Sequence, residues 1–358
     1  MLKISSKFNE TLNEDFKEII SRTEKIWKKS KKKSFLLTGC TGFFGYWLVR
    51  SFIEANKKYN LNIKLFILTR KKNNLLNKLL KDKIINFIVG DIRNFNYPKN
   101  KIDYIIHGAT TSALETFNKQ NPLEKISIIV DGTKNILNLT KINNCKKFLY
   151  ISSGSVYGKE FKLNKRMRET DVGNLNHIDP NLDLSVLGQS KKMAETLVSI
   201  YSKANNISSS IARCFTFVGP LLPLNIHYVI GNFLKNKVSN KNIIINSTGE
   251  SIRSFMYMAD LTVWLLYILF FGKDNDIYNV GSDKGVSIKK LAKMVNNLEK
   301  NNSKVKLKKN TRIVDKNSYV PSVSKSKKKL NLKIKHNLKE SLKKTYLNLA
   351  INKSFYSL

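Results

Sequence analysis

Two kinds of apolar pattern alternate along this chain. Short continuous apolar runs, typical of strands buried on both faces, recur at Phe35–Thr38, Ile63–Thr69, Asn86–Val89, Tyr104–Ile106, Lys147–Ile151 and Ser209–Arg213. Between them apolar residues follow helical spacing, with helices starting near Phe43, Asp131 and Ser190. Strand and helix in alternation predict an α/β fold, a doubly wound parallel sheet with helices on both faces. Ahead of the first strand, Phe16, Ile19, Ile20, Thr23, Ile26 and Trp27 share one helical face. Residues 1–34 are therefore expected to be an amphipathic helical extension docked on the main body. The run Leu261–Phe271 is apolar but short of a membrane span, and reads as a buried helix.

Ligands of such sheets sit beyond the carboxyl ends of the strands, so the residues that follow each strand carry the chemistry. After the first comes Gly39-Cys40-Thr41-Gly42-Phe43-Phe44-Gly45. Its GxxGxxG spacing lies between an apolar strand and a helix. The first glycine permits the turn, the second admits a pyrophosphate, and the third lets helix and strand pack closely. Thr69-Arg70 ends the second strand. An acidic residue there would hold an adenosine ribose, and its replacement by cations tilts the expectation from NAD toward NADP. Asp91, in Gly90-Asp91-Ile92, is placed to meet an adenine amino group. His107-Gly108-Ala109 follows the fourth strand, with small residues where a cofactor would pass.

Composition changes this picture little. The 358 residues carry 64 Lys and Arg against 26 Asp and Glu, a formal charge of +38. Lysine dominates, and no aromatic residues interleave with a basic motif, so the charge is read as lysine-rich composition rather than a nucleic-acid site. Cys40, Cys145 and Cys214 have neither paired spacing nor a histidine cluster, which argues against a disulfide framework and a metal site. With no signal-peptide core or membrane span, a cytoplasmic setting is expected.

Two further stretches, Ser152-Ser153-Gly154-Ser155-Val156-Tyr157-Gly158 and Leu187-Gly188-Gln189-Ser190-Lys191, complete a recognisable order. Together with the glycine turn, Gly90-Asp91, the His107 run, Asp131-Gly132-Thr133, Gly219-Pro220, Arg253-Ser254-Phe255 and Tyr278-Asn279-Val280-Gly281, they resemble the extended short-chain dehydrogenase/reductases, specifically the nucleotide-sugar epimerases and dehydratases. The resemblance implies a Rossmann-type NAD(P) domain over residues 35–215, with 254–281 returning to it. A smaller, discontinuous substrate domain would take 216–253 and 282–350. It implies cofactor contacts from Gly39, Thr41, Gly42, Phe43, Phe44, Gly45, Thr69, Arg70, Asp91, Ile92, His107, Gly108, Ala109 and Lys191. Substrate contacts would come from Thr111, Ser153, Thr216, Asn232 and Arg253, with a loop contact from His227. A homodimer is left open, and the lysine-rich Ser324–Asn331 would be mostly solvated.

The resemblance also has departures. By position Ser153 and Lys191 are the catalytic serine and lysine, whereas the tyrosine position is Leu187, which cannot carry a proton. Three readings stay open: another group such as water relayed through Ser153 or Tyr157 acts instead, catalysis is lost and the protein is a dinucleotide-binding regulator, or the alignment is displaced. Gly154 and Ser155 stand where 4,6-dehydratases carry an acidic pair, which disfavours dehydration through these groups; epimerisation or ketone reduction needs no such pair and decarboxylation stays open, with epimerase-like transient oxidation of a sugar carbon the reading adopted. Thr216 replaces the family's asparagine before Gly-Pro.

Overall fold

The computed structural model describes residues 6–70, 82–110, 121–158, 165–173, 183–224, 228–308, 317–353 and 356. Seven strands form one parallel sheet: β1 (Ser34–Thr38), β2 (Lys64–Thr69), β3 (Ile85–Val89), β4 (Tyr104–His107), β5 (Lys147–Ser153), β6 (Ser209–Cys214) and β11 (Asp276–Val280). Their spatial order is β3-β2-β1-β4-β5-β6-β11. Winding reverses between β1 and β4, and this switch point opens a crevice at the carboxyl edge of the sheet. Thr38 ends β1 in register with His107 of β4 and Leu68 of β2. β1 is buried along its whole length, as an apolar run in a sheet covered on both sides must be.

Two cores sandwich the sheet. One gathers residues of α1 (Ser6–Arg22), α2 (Glu24–Lys29), α3 (Phe43–Tyr59) and α7 (Met258–Phe271). The other lies beneath α4 (Pro122–Ile142) and α5 (Asp183–Asn205). The apolar run expected to be a buried helix is α7, and no helix among the described residues is long and apolar enough to cross a membrane. Both α4 and α5 begin earlier than the pattern suggested. For α4 the cause is local: Asn121 accepts a bond from Leu123 N–H as N-cap, and Pro122 takes the first helical position.

A third, smaller core gathers α6 (Val229–Val238), α8 (Ile288–Asn296) and α10 (Leu338–Ile351) around short strands, and Phe43 packs against both it and the first core. Among the short strands β7 (Phe217–Val218) pairs with β10 (Met256–Tyr257), β8 (Ile243–Ile245) with β13 (Val305–Leu307), and β9 (Ile252–Ser254) with both β12 (Gly285–Ser287) and β14 (Ser318–Tyr319). The lysine-rich helix α9 (Ser324–Leu330) is less solvated than expected: buried Ser326 donates to the Asn279 carbonyl, and Lys325 pairs with Asp276.

The N-terminal segment docks, as its apolar face predicts, with Leu12, Phe16, Ile19 and Ile20 all buried. It is two helices rather than one. The chain breaks at Thr23, whose hydroxyl donates to the Ile19 carbonyl and accepts from Trp27 Nε1 at 2.7 Å. Polar contacts clasp α1 to the other end of the chain. Asp15 meets Tyr257 and Lys344, Glu18 meets Lys335 and His336, and Arg22 pairs with buried Asp260 at 2.7 Å. The backbone N–H groups of Lys335 and His336 also donate to Asp260.

Candidate active site

The glycine turn lies between β1 and α3. Gly39 adopts φ +72°, and a Cβ there would fall 2.4 Å from the Gly108 carbonyl. At Gly45 a Cβ would come within 2.1 Å of the Cys40 backbone. Close packing requires these two glycines. Gly42 differs: it is exposed, and a Cβ added to it meets nothing within 4 Å. It is also the N-cap residue of α3, and offers no side chain to the helix's first N–H groups. An open cradle at an uncapped helix start suits an anion, and the residues present fit the diphosphate of a dinucleotide. Thr41, Phe43 and Phe44 are half-buried at its rim, with Phe44 edge-on to Phe217 at 5.0 Å. Buried Cys40 is no nucleophile, since burial pushes its thiol up to about 12.

His107 braces this crevice and does not face it. Thr133 gives its hydroxyl proton to the Ile129 carbonyl, so its oxygen accepts from His107 Nε2 at 3.0 Å. Nδ1 of the neutral ring then accepts from the Thr38 hydroxyl at 2.7 Å, and Thr38 Oγ1 also accepts from the Ala109 N–H at 3.2 Å. Burial, aided by the Lys191 charge, pushes the His107 pKa down to about 3, so the ring is neutral. The expected contact from its side chain is thereby corrected, while Gly108 and Ala109 stay half-exposed along the crevice.

At the adenosine end, Thr69 is buried and Arg70 exposed. Both Asp91 oxygens are held by Arg93, at 2.8 and 2.7 Å. Bonding to Arg93 is the main cause that lowers the Asp91 pKa, and the Arg70 charge adds to it. The Ile92 side chain is corrected from cofactor contact to core: it packs on Gly132, and Asn135 takes its carbonyl.

The far end of the crevice is built from β5 and α5. Ser153 ends β5 and caps a single 3-10 turn over Gly154–Tyr157 by accepting from Ser155 N–H at 3.1 Å. Lys191 lies on α5, 4% exposed, and its Nζ donates to the Ile151 carbonyl at 3.0 Å. Burial lowers its pKa to about 8, against the opposing pull of Cys214 and Glu195. One helical turn earlier, Leu187 is half-buried and packs on the core cluster that Ala109 also borders.

Arg213 is not a free cation beside the site. It is buried in a forked pair with Glu195, closest at 2.6 Å, while Ser152 donates to the same carboxylate. Its other nitrogen reaches the Tyr157 hydroxyl at 2.8 Å, which donates to Asn279 Oδ1. Tyr157 is fully buried and fully engaged, so it cannot relay protons from the site. Thr216 is half-buried, and its hydroxyl donates to the Ser254 carbonyl. Asn232 is exposed on α6. Arg253 is half-buried on β9 and bonds Asn317 Oδ1 at 2.6 Å. Thr111 and His227 lie outside the described residues.

One residue escaped the sequence reading altogether. Tyr319 of β14 stands in register with Arg253 of β9, which puts both side chains on one face of that sheet. Its hydroxyl lies 2.3 Å from where a Gly154 Cβ would stand, and it interacts with Ser153. Its ring packs 4.8 Å from that of Phe215. No short-range signal marks it, because its strand pairs with a partner more than sixty residues earlier.

UDP-glucuronic acid decarboxylase 6 of Arabidopsis thaliana is 28% identical to this chain over 321 residues, covering 90% of this chain and 89% of the relative. The dTDP-D-glucose 4,6-dehydratase of Dictyostelium discoideum is 28% identical over 281 residues, covering 74% and 62%. Among solved structures, an epimerase of Methanothermobacter thermautotrophicus superposes with TM-score 0.78 at 20% identity, covering 96% of this chain and 98% of that one. UDP-glucuronic acid 4-epimerase of Bacillus cereus, solved with UDP-glucuronic acid and NAD, superposes at 0.74 with 21% identity, covering 90% and 100%. The pattern of one family runs from β1 to the residue after β11, over residues 35–281, and by it this chain belongs to the NAD dependent epimerase/dehydratase family.

Proposed function

We propose that the protein binds NAD(P) together with a nucleotide sugar and transiently oxidises a carbon of that sugar. The observation that carries this reading is the open face of Gly42 in a turn whose other two glycines are closed by packing. When bound, the dinucleotide supplies the hydride acceptor and donor. The turn and the start of α3 hold its diphosphate, and Lys191 holds its nicotinamide ribose. Ser153 bonds the reacting sugar oxygen, and the planar fork of Arg253 takes the diphosphate of the sugar nucleotide. At the adenosine end, Arg70 beside Asp91 supports NADP over NAD.

Among the family's reactions, epimerase-like chemistry is favoured by Gly154 and Ser155, which cannot act as the acid and base of a dehydration. The named decarboxylases among the relatives keep loss of a carboxylate within reach. The test is incubation with a panel of UDP- and dTDP-sugars and either dinucleotide, with products read by mass spectrometry and NMR. A protein that binds neither cofactor nor sugar nucleotide by calorimetry ends this reading, and equal or tighter NAD binding ends the NADP preference.

Leu187 favours a second reading, a dinucleotide-binding regulator without turnover. Tight binding of both ligands with no product would select it. Exposed Leu123 and Ile126 on α4 with Met193 and Ile200 on α5 support pairing of two copies through these helices, which analytical ultracentrifugation would detect.

A further inference from the structure

The reaction proposed above requires a proton to leave and return to a sugar oxygen, and position 187 holds a leucine. Among the described residues, Tyr150, Tyr157 and Tyr319 stand near Ser153. Tyr150 is fully buried beneath Lys191, whose Nζ lies 4.9 Å from its ring. Tyr157 is fully buried and bonded to Arg213 and Asn279. Tyr319 alone of the three is half-exposed, and it reaches the site from another strand.

Its placement is specific. The Tyr319 hydroxyl rests on the Cα of Gly154, so any side chain at 154 would collide with it. It interacts with Ser153, and Arg253 is its neighbour in register. A sugar nucleotide with its diphosphate on Arg253 and its reacting oxygen at Ser153 would lie along the phenol.

We infer that Tyr319 is a catalytic residue that supplies the phenol missing at position 187, and acts as the proton donor to the reacting oxygen. The inference rests on the function proposed above. In the reductive step the hydride pair bonds to the carbonyl carbon, the C=O π pair moves to oxygen, and that oxygen takes the proton from Tyr319. The hydride would come from the same bound dinucleotide, which is thereby returned to its oxidised form, and the phenolate is reprotonated from solvent through Ser153. The oxidative step is the reverse, with the proton returning to Tyr319.

Ser153, Arg253, Cys214 and Tyr228 are the polar and titratable groups around this phenol. Burial raises its pKa well above the ordinary tyrosine value, which Ser153 and Arg253 oppose. A phenol held protonated at neutral pH has a proton to give, and because burial makes it a weaker acid, Ser153 and Arg253 must stabilise the phenolate it leaves behind.

The experiment compares the parent with Tyr319→Phe, a change that keeps the ring and its packing on Phe215. Turnover is expected to fall ~10²–10⁴-fold with KM nearly unchanged, and the solvent deuterium isotope effect on turnover, which proton transfer from the phenol supplies, is expected to shrink. A second readout needs no turnover. At neutral pH, adding UDP-glucose without dinucleotide should perturb the tyrosine ultraviolet absorption of the parent, and this difference spectrum should be missing from Tyr319→Phe. If Tyr319→Phe keeps the parent's rate and isotope effect, the inference is wrong while the proposed function stands. If parent and variant give the same difference spectrum on binding UDP-glucose, the inference is also wrong. A parent that binds both ligands and yields no product overturns the function and the inference together.

Discussion

Replacing Lys191 by methionine should make the free protein more stable at neutral pH while weakening its hold on the dinucleotide. The ammonium lies in a site only 4% exposed, and burial lowers its pKa from 10.5 to about 8. In the unfolded chain the group stays protonated up to 10.5, so between the two values the unfolded state holds the extra proton. The penalty on the folded state is therefore complete below about pH 8 and is relieved as pH rises from 8 to 10.5. A displacement of this size corresponds to about 3 kcal/mol. Methionine removes that penalty and keeps most of the volume, but forfeits the bond to the Ile151 carbonyl, a net loss of about 1 kcal/mol. The variant should thus exceed the parent by roughly 1–2 kcal/mol at pH 7, and fall level with it or below it near pH 10.5. Urea unfolding followed by circular dichroism at the two pH values measures the difference. Saturating NADP should then stabilise the parent by ligand linkage and the variant much less. A variant less stable at pH 7, or a difference that ignores pH, would show that the buried ammonium is not under strain.

Three other outcomes are expected. Gly42→Val should abolish dinucleotide binding in calorimetry without lowering the melting temperature by more than about 1 °C per few tenths of a kcal/mol of strain, since its side chain enters open space that the diphosphate needs; unchanged affinity refutes the cradle. Leu187→Tyr in the Tyr319→Phe background should raise turnover by ~10²–10⁴-fold, and a folded, cofactor-binding variant with no gain would remove position 187 from the reacting oxygen. Burial raises the Glu18 pKa, but bonds from His336, Lys335 and Arg22 outweigh it and hold the group at about 2 against an ordinary 4.5. The stability it contributes is complete above about pH 4.5 and lost as pH falls toward 2, so Glu18→Gln should flatten the acid unfolding curve over that window, followed by tryptophan fluorescence.

What the sequence made legible was local. A strand, a glycine turn and a helix are consecutive, so their spacing could be read directly, and the open face of Gly42 agrees with that reading. The N-terminal amphipathic face was legible for the same reason, although the break at Thr23 was not, because the apolar face runs through it unbroken. The start of α4 carried a readable signal in Asn121-Pro122 that apolar spacing alone does not register. Contacts between distant segments were hidden. Arg213 reads in the sequence only as the end of a strand, because its partner Glu195 sits on a different element. Thr216 looked available because the Ser254 carbonyl comes from another strand. Tyr319 was invisible because only the pairing of β14 with β9 brings it to Ser153.

The clasp between α1 and the last helical segment bears on how the chain is made. The first helix leaves the ribosome early and finds its apolar berth as soon as α3 and α7 exist. Its charges must wait: Asp15 needs Lys344, and Glu18 needs Lys335 and His336. Asp260 waits as well, fully buried, for the N–H groups of residues 335 and 336. A segment synthesised before the sheet is thus finished only after it. A chain that stops short of Lys335 would contain the entire sheet and the glycine turn, yet leave a buried carboxylate with Arg22 as its remaining ionic partner. Emergence of Lys335 and His336 therefore becomes a checkpoint on a sheet already made, although no residue of the glycine cradle lies there.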